Sequence, residues 1–150
     1  MLKSKLIHPQ ILAAIARAGH GSTVLISDGN YPHSTAAGRN SELVYLNLAP
    51  GLVSVTDVLK LLCVTMPIEK AVVMEPLREG PYAMAGDPPI FSEFRDILAE
   101  SDCAGHLEQV ERFDFYKTAG KRNNCLTVAT GEHRIYANIL LTVGVVKPAQ

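Results

Sequence analysis

The sequence predicts an α/β fold, a three-layer α/β/α arrangement with a mixed, mostly parallel sheet. Two patterns carry that prediction. Short, nearly continuous apolar runs alternate with segments whose apolar residues recur at helical spacing, the order that puts helices on both faces of a largely parallel sheet. The last two apolar runs, Leu126 to Thr130 and Ile139 to Val143, have a connection too short for a crossover helix, so one strand is expected to be antiparallel.

Taken in order, His8 to Ala18 reads as the first helix. Pro9 suits its first position, Ile11, Leu12, Ile15 and Ala18 form an apolar stripe, and Gly19 is a natural stop. Thr23 to Ile26 reads as a strand buried on both faces. Gly29-Asn30-Tyr31-Pro32-His33-Ser34-Thr35 has loop chemistry. Leu43 to Leu48 alternates as a strand, which Ala49-Pro50-Gly51 ends. Ser54 to Cys63 is a second helix, with Val55, Val58, Leu59 and Leu62 on one face and Ser54 or Thr56 as its cap.

Lys70 to Glu75 is another buried strand, closed by Pro76. Arg78 to Pro89 is a loop whose length suggests a lid or an interface. Pro89 to Asp102 is a third helix faced by Phe91, Phe94, Ile97 and Leu98. Leu107 to Arg112 reads as a strand and Asp114 to Ala119 as a short helix ahead of the closing pair of strands.

Composition removes several function classes. A chain of 150 residues, 47% hydrophobic, fits a single domain over residues 1–150 with an adequate core. A formal net charge of -1 with no basic run argues against a nucleic-acid partner. No apolar run reaches the ~18 residues of a membrane span, and Met1-Leu2-Lys3-Ser4-Lys5-Leu6 lacks the apolar core of a signal peptide. Cys63, Cys103 and Cys125 are odd in number and widely spaced, and read as reduced residues in or near the core of a cytoplasmic protein.

The stretch Gly19-His20-Gly21-Ser22, followed by an apolar strand ending at Asp28, concentrates the chemistry. Its glycines follow a helix and precede a strand, the reverse of the order that cradles phosphate. The five histidines (His8, His20, His33, His106, His133) make no metal-ligand spacing, and G-x-S-x-G is absent. A proton-transfer site without metal or cofactor is therefore expected. His20 alone reads as a helix-terminating residue and Asp28 alone as a turn former; as a pair they are the usual proton-moving groups. A regular strand from Thr23 to Ser27 spans roughly 15–20 Å at ~3.3 Å per residue, too far for both to meet one substrate. Either the turn folds back or the site joins groups from two subunits; the second is favoured.

Two further stretches carry polar groups. Extended, Tyr136-Ala137-Asn138 puts Tyr136 and Asn138 on one face, offering an aromatic wall and an amide for sugar hydroxyls, or an ordinary edge-strand pair. In Arg112-Phe113-Asp114-Phe115-Tyr116, packing explains the phenylalanines, while Arg112 and Tyr116 carry polar heads that need partners.

Gly19-His20-Gly21, Ser27-Asp28, Arg112-Phe113-x-Phe115-Tyr116, Thr130-Gly131-Glu132 and Tyr136-x-Asn138-Ile139-Leu140 occur in this order. Together they resemble the L-fucose mutarotase and D-ribose pyranase family, over about residues 5 to 146. The resemblance implies a ring-shaped homo-oligomer, often a decamer of two pentamers, with sites between subunits. It implies His20 as proton donor and Asp28 as a substrate ligand, with Arg112, Tyr136 and Asn138 contacting the sugar. Tyr116 would be a second catalytic or binding group. Arginine at position 112, with F-x-F-Y after it, resembles the fucose branch. The sequence departs from that branch where some fucose mutarotases carry an acidic residue after the second helix: here it is Thr65, or is displaced towards Glu69. The loop from Gly29 to Asn40 also differs. The implied activity is anomer interconversion of L-fucose or a related monosaccharide. The competing readings are a non-catalytic cytoplasmic sugar-binding protein serving transport or catabolism, and a purely structural ring.

Overall fold

The computed structural model describes residues 2–101 and 106–148. Helix α1 (Pro9–Arg17) begins where Pro9 follows His8, whose Nδ1 accepts from the backbone N of Ile11. It leads to strand β1 (Thr23–Ser27), and all five β1 residues are buried. A strand enclosed on both faces has to be covered on both sides, which is what its unbroken apolar run predicts.

After α2 (His33–Ala36) and β2 (Glu42–Tyr45) comes α3 (Val55–Cys63). Ser54 caps α3 through a capping box with Asp57, so the serine and not Thr56 holds the N-terminus. Then follow β3 (Ile68–Met74), α4 (Ile90–Glu100), β4 (Leu107–Val110), α5 (Arg112–Ala119), β5 (Asn124–Ala129) and β6 (Ile139–Val143). The six strands form one sheet in the order β2-β5-β1-β6-β3-β4. β6 alone is antiparallel to its neighbours, β1 and β3, while β1–β5, β2–β5 and β3–β4 are parallel. The expected mixed, mostly parallel sheet is present, and its reversed strand is the one after the short connection.

Helix α1 packs on β5 and β2, α3 on β1 and α4, and α5 on β3. Phe91, Phe94 and Phe115 are fully buried with Leu25, Leu59, Leu126 and Ile139, and the Phe91 and Phe94 rings stack at 6.3 Å. Cys63 is buried and Cys125 half-buried. Asp102 and Cys103 lie outside the described residues.

Several elements differ from the sequence reading, among them β3, which begins at Ile68 and not Lys70, and β4, which ends at Val110 and not Arg112. The end of the expected 29–35 loop is taken up by the single turn α2, which runs on to Ala36 and is too short for any periodic signal. β2 stops at Tyr45 and not Leu48, because Leu46 donates to Ala129 O and then accepts from Val53 N, folding the chain against the β5 end. β5 starts at Asn124, two residues earlier than expected. α5 starts at Arg112 and not Asp114: the Glu111 carboxylate accepts from Phe113 N and Asp114 N, an acidic cap at a positive helix end. Arg112 is thus in a first helical turn and not at the end of a strand.

Because Ile26 pairs with Ile139 and Val73 with Ile139 across the reversed strand, one edge of the sheet collects the ends of β1 and β3 and the start of β6. This is the carboxyl edge of the parallel strands, where open α/β sheets place their ligands.

Candidate functional site

Asp28 follows directly on β1 and is 2% exposed. Its Oδ2 accepts from Asn138 Nδ2 at 2.9 Å, its backbone N donates to Asn138 Oδ1 at 2.9 Å, and Oδ1 accepts from Asn30 N. The first two bonds lock the end of β1 to the start of β6. Burial pushes the Asp28 carboxyl pKa above its ordinary value, against the lowering effect of these donors.

Asp28 and Asn138 line a cavity of about 330 Å³ with Asn30, Tyr31, Met74, Tyr82, Arg112, Tyr116, Ile135 and Tyr136. That size is at the lower end of small-molecule sites, about 300–1,000 Å³. Five of the six residues singled out in the sequence therefore meet in one place: Asp28, Arg112, Tyr116, Tyr136 and Asn138. The Arg112 guanidinium lies over the Tyr116 ring, 5.7 Å from its centroid. No carboxylate among the described residues pairs with it.

Tyr136 reaches the cavity differently from the extended-triplet reading. Its φ is 61°, a left-handed conformation that costs a non-glycine residue energy and clusters at ligand sites. Its hydroxyl donates to Tyr82 O at 3.0 Å and accepts from Leu77 N at 3.1 Å. The phenol is thus engaged in holding the 75–89 loop, whose Tyr82 forms part of the cavity wall, and its ring faces the cavity.

His20 is elsewhere. It occupies the tip of a tight turn in which Ser22 N donates to Gly19 O, with Gly21 at φ 79°, as the third residue of such a turn requires. Gly21 N is tied to Val143 O, so the turn sits at the end of the sheet opposite Asp28. The imidazole is exposed, and its Nε2 lies 2.9 Å from Glu69 Oε2. The turn does not fold back along β1.

Sequence reasoning missed the cavity residues Asn30, Tyr31, Met74, Tyr82 and Ile135, and, although it named Glu69, it did not pair it with His20. It also left Glu132 without a role. Glu132 is 2% exposed and accepts from Arg134 Nε and Nη2 and from the backbone N of His133 and Arg134. Arg134 extends the network to Glu93, so the turn carrying Ile135 and Tyr136 into the cavity is fixed electrostatically. Gly131, just before it, lies where an added Cβ would collide with the backbone oxygens of Leu52 and Ala49, so no side chain fits.

The Arg134 guanidinium holds the Glu132 carboxyl down to about 2, from an ordinary 4.5. A depressed carboxylate stabilises the fold above its unfolded pKa and loses that contribution as pH falls through the folded one. Wild-type stability is therefore expected to drop between pH 4.5 and 2 by on the order of 2–3 kcal/mol more than that of Glu132→Gln. Denaturant melts across that pH range check this, and parallel curves for the two proteins would contradict it.

A family profile described as "RbsD / FucU transport protein family" matches residues 1–146. The chain is 31% identical over 140 residues to a fucose mutarotase of Mus musculus, covering 93% of this chain and 90% of that protein. Among solved structures, it is similar to FucU from Bifidobacterium longum, with 30% identity, a TM-score of 0.77, and 94% and 96% of the two chains covered. It is also similar to the fucose mutarotase from Streptococcus pneumoniae in complex with L-fucose, with 28% identity, a TM-score of 0.74, and 97% and 100% covered.

Proposed function

The chain belongs to the RbsD / FucU family, and from that premise we propose that it is a cytoplasmic sugar mutarotase acting on L-fucose or a closely related monosaccharide. The observation that carries the reading is the cavity at the carboxyl edge of β1, which unites Asp28, Arg112, Tyr116, Tyr136 and Asn138. The fucose mutarotases to which the chain is similar support the substrate class.

Anomer exchange opens a hemiacetal. A base takes the anomeric hydroxyl proton while an acid protonates the ring oxygen, and reclosure on the other carbonyl face gives the second anomer. The uncatalysed reaction is already accessible in water, so positioned acid and base groups suffice, each contributing about 10²–10⁴-fold. In this reading Asp28 accepts from sugar hydroxyls, Asn138 keeps that carboxylate aimed, and Arg112 donates to sugar oxygens. The Tyr136 ring and Tyr82 wall the sugar in. Tyr116 is the complementary acid or base, and His20 shuttles the proton near neutral pH.

His20 cannot serve its own cavity from the far end of β1. We therefore place it in the cavity of a neighbouring subunit, with Glu69 holding the imidazole's orientation. A ring of single-domain protomers, five or ten in number, presents each exposed His20 turn to an adjoining cavity. This assembly supplies what the isolated protomer lacks, an imidazole beside the cavity to carry the anomeric proton.

Saturation-transfer NMR on an equilibrated L-fucose solution tests the activity. Magnetisation is expected to pass between the α and β anomer signals faster with the protein than without it. Binding with exchange at the uncatalysed rate would instead fit a sugar carrier.

A further inference from the structure

Two polar atoms in the cavity wall lack any hydrogen-bond partner among the described residues although they are sealed from water: Tyr31 Oη and Arg112 Nε. Such groups are scarce in folded proteins, because each one forfeits its hydration without a replacement. Here both belong to residues lining the same cavity, and both residues flank Tyr116. The Tyr31 and Tyr116 rings lie 5.5 Å apart, and the Arg112 guanidinium covers the Tyr116 ring from 5.7 Å. Tyr31 itself is 4% exposed. Its ring is also wedged against His33 at 5.7 Å, and His33 is anchored to Ser27 Oγ at 2.8 Å. The Tyr31 ring is thus packed between the His33 and Tyr116 rings.

We propose that Tyr31 is a specificity-determining residue: its hydroxyl and Arg112 Nε together bind one ring oxygen substituent of the sugar. The inference rests on the sugar-site reading above and adds a contact that the sequence motifs did not indicate. A neutral hydroxyl is the group that fits. A phenol can donate to it or accept from it, while the guanidinium only donates, so one sugar oxygen accepts from Arg112 and exchanges a hydrogen bond with Tyr31. Burial and the neighbouring Tyr116 raise the Tyr31 pKa, so the phenol keeps its proton for this bond at neutral pH.

Both atoms are covered, so an arriving hydroxyl has to draw the Arg112 guanidinium off the Tyr116 face. That exchanges a face contact for a charge-assisted hydrogen bond, the stronger of the two. Arg112 has no carboxylate partner among the described residues to hold it back. The order of events makes the contact selective. A sugar without a hydroxyl at this position leaves Arg112 on Tyr116 and the Tyr31 hydroxyl unpaired, so affinity for it falls.

The experiment compares wild type with Tyr31→Phe by calorimetry, using L-fucose and its 2-deoxy, 3-deoxy and 4-deoxy analogues, with thermal melts in parallel. Tyr31→Phe is expected to melt at or above the wild-type temperature, because the deleted hydroxyl has no partner to lose. It is expected to bind L-fucose about 3- to 10-fold more weakly, as loss of one hydrogen bond implies. For one of the three analogues the two proteins should bind equally, which identifies the hydroxyl. Equal binding of L-fucose by both proteins would overturn the proposal while leaving the sugar site standing. A lowered melting temperature would also overturn it, since the hydroxyl would then have a partner within the protein. Failure of wild type to bind L-fucose or any of its analogues would overturn the underlying sugar reading instead.

Discussion

Replacing His20 with alanine is expected to reduce catalysed anomer exchange by about 10²–10⁴-fold, the contribution of one positioned acid-base group. The fold should hardly notice. The imidazole is exposed on a turn, its contact is with the half-exposed Glu69, and exposed ion pairs contribute at most about 1 kcal/mol. Sugar binding should persist, because Asp28, Arg112 and Asn138 remain in place. The expected pattern is thus a lost kcat with a largely retained KM, read by magnetisation transfer and calorimetry. Exchange at the wild-type rate would remove His20 from the mechanism.

Asp28→Ala should act in the opposite sense, abolishing sugar binding and lowering stability. Deleting the carboxylate strands Asn138 Nδ2 in a buried position and frees Asn30 N, which is near enough to solvent to find water. An unsatisfied buried donor costs about 1–3 kcal/mol. Removing a carboxylate that burial has already disfavoured offsets part of this. A loss of that size leaves a typical domain, with about 5–15 kcal/mol to start from, folded. The variant should also differ in its pH dependence. With its pKa raised above 3.8, Asp28 holds its proton more tightly in the native state than in the unfolded one. Its contribution therefore favours folding at low pH and is lost as pH rises through the folded pKa. Denaturant melts of both proteins from pH 3 upwards should show that decline in wild type only.

The sheet was legible in the sequence wherever burial is continuous. The Thr23 to Ile26 run announces a strand enclosed on both faces, and the short link before Ile139 announces the reversed strand. Boundaries were lost where a single side chain decides them. Glu111 starts α5 two residues early by capping it, and Leu46 turns β2 away after Tyr45; neither act leaves a periodic trace. The cavity was legible through residues whose polar heads packing does not explain, Arg112 and Tyr116, and through the Asp28 and Tyr136-x-Asn138 motifs. Tyr31, Met74, Tyr82 and Ile135 were not legible, because each is an ordinary loop or core residue until the β1, β3 and β6 ends converge. The pairing of Glu69 with His20 was hidden for a similar reason: the two lie 49 residues apart and meet only because β3 starts at the edge of the sheet where the turn enters β1. The expectation of an extended 136–138 triplet failed on one dihedral, the left-handed φ of Tyr136, which no local residue preference signals.

The central claim is that a His20 from one protomer completes the cavity of another, and mixed oligomers test it most directly. Chains carrying His20→Ala and chains carrying Asp28→Ala, co-expressed in equal amounts, should each be inactive alone. Assembled together at random, they should recover about a quarter of wild-type exchange, the fraction of interfaces at which an intact histidine faces an intact aspartate. A mixture as inactive as its two components would contradict the account, because only a site contained within one chain, or a chain that does not associate, gives that result.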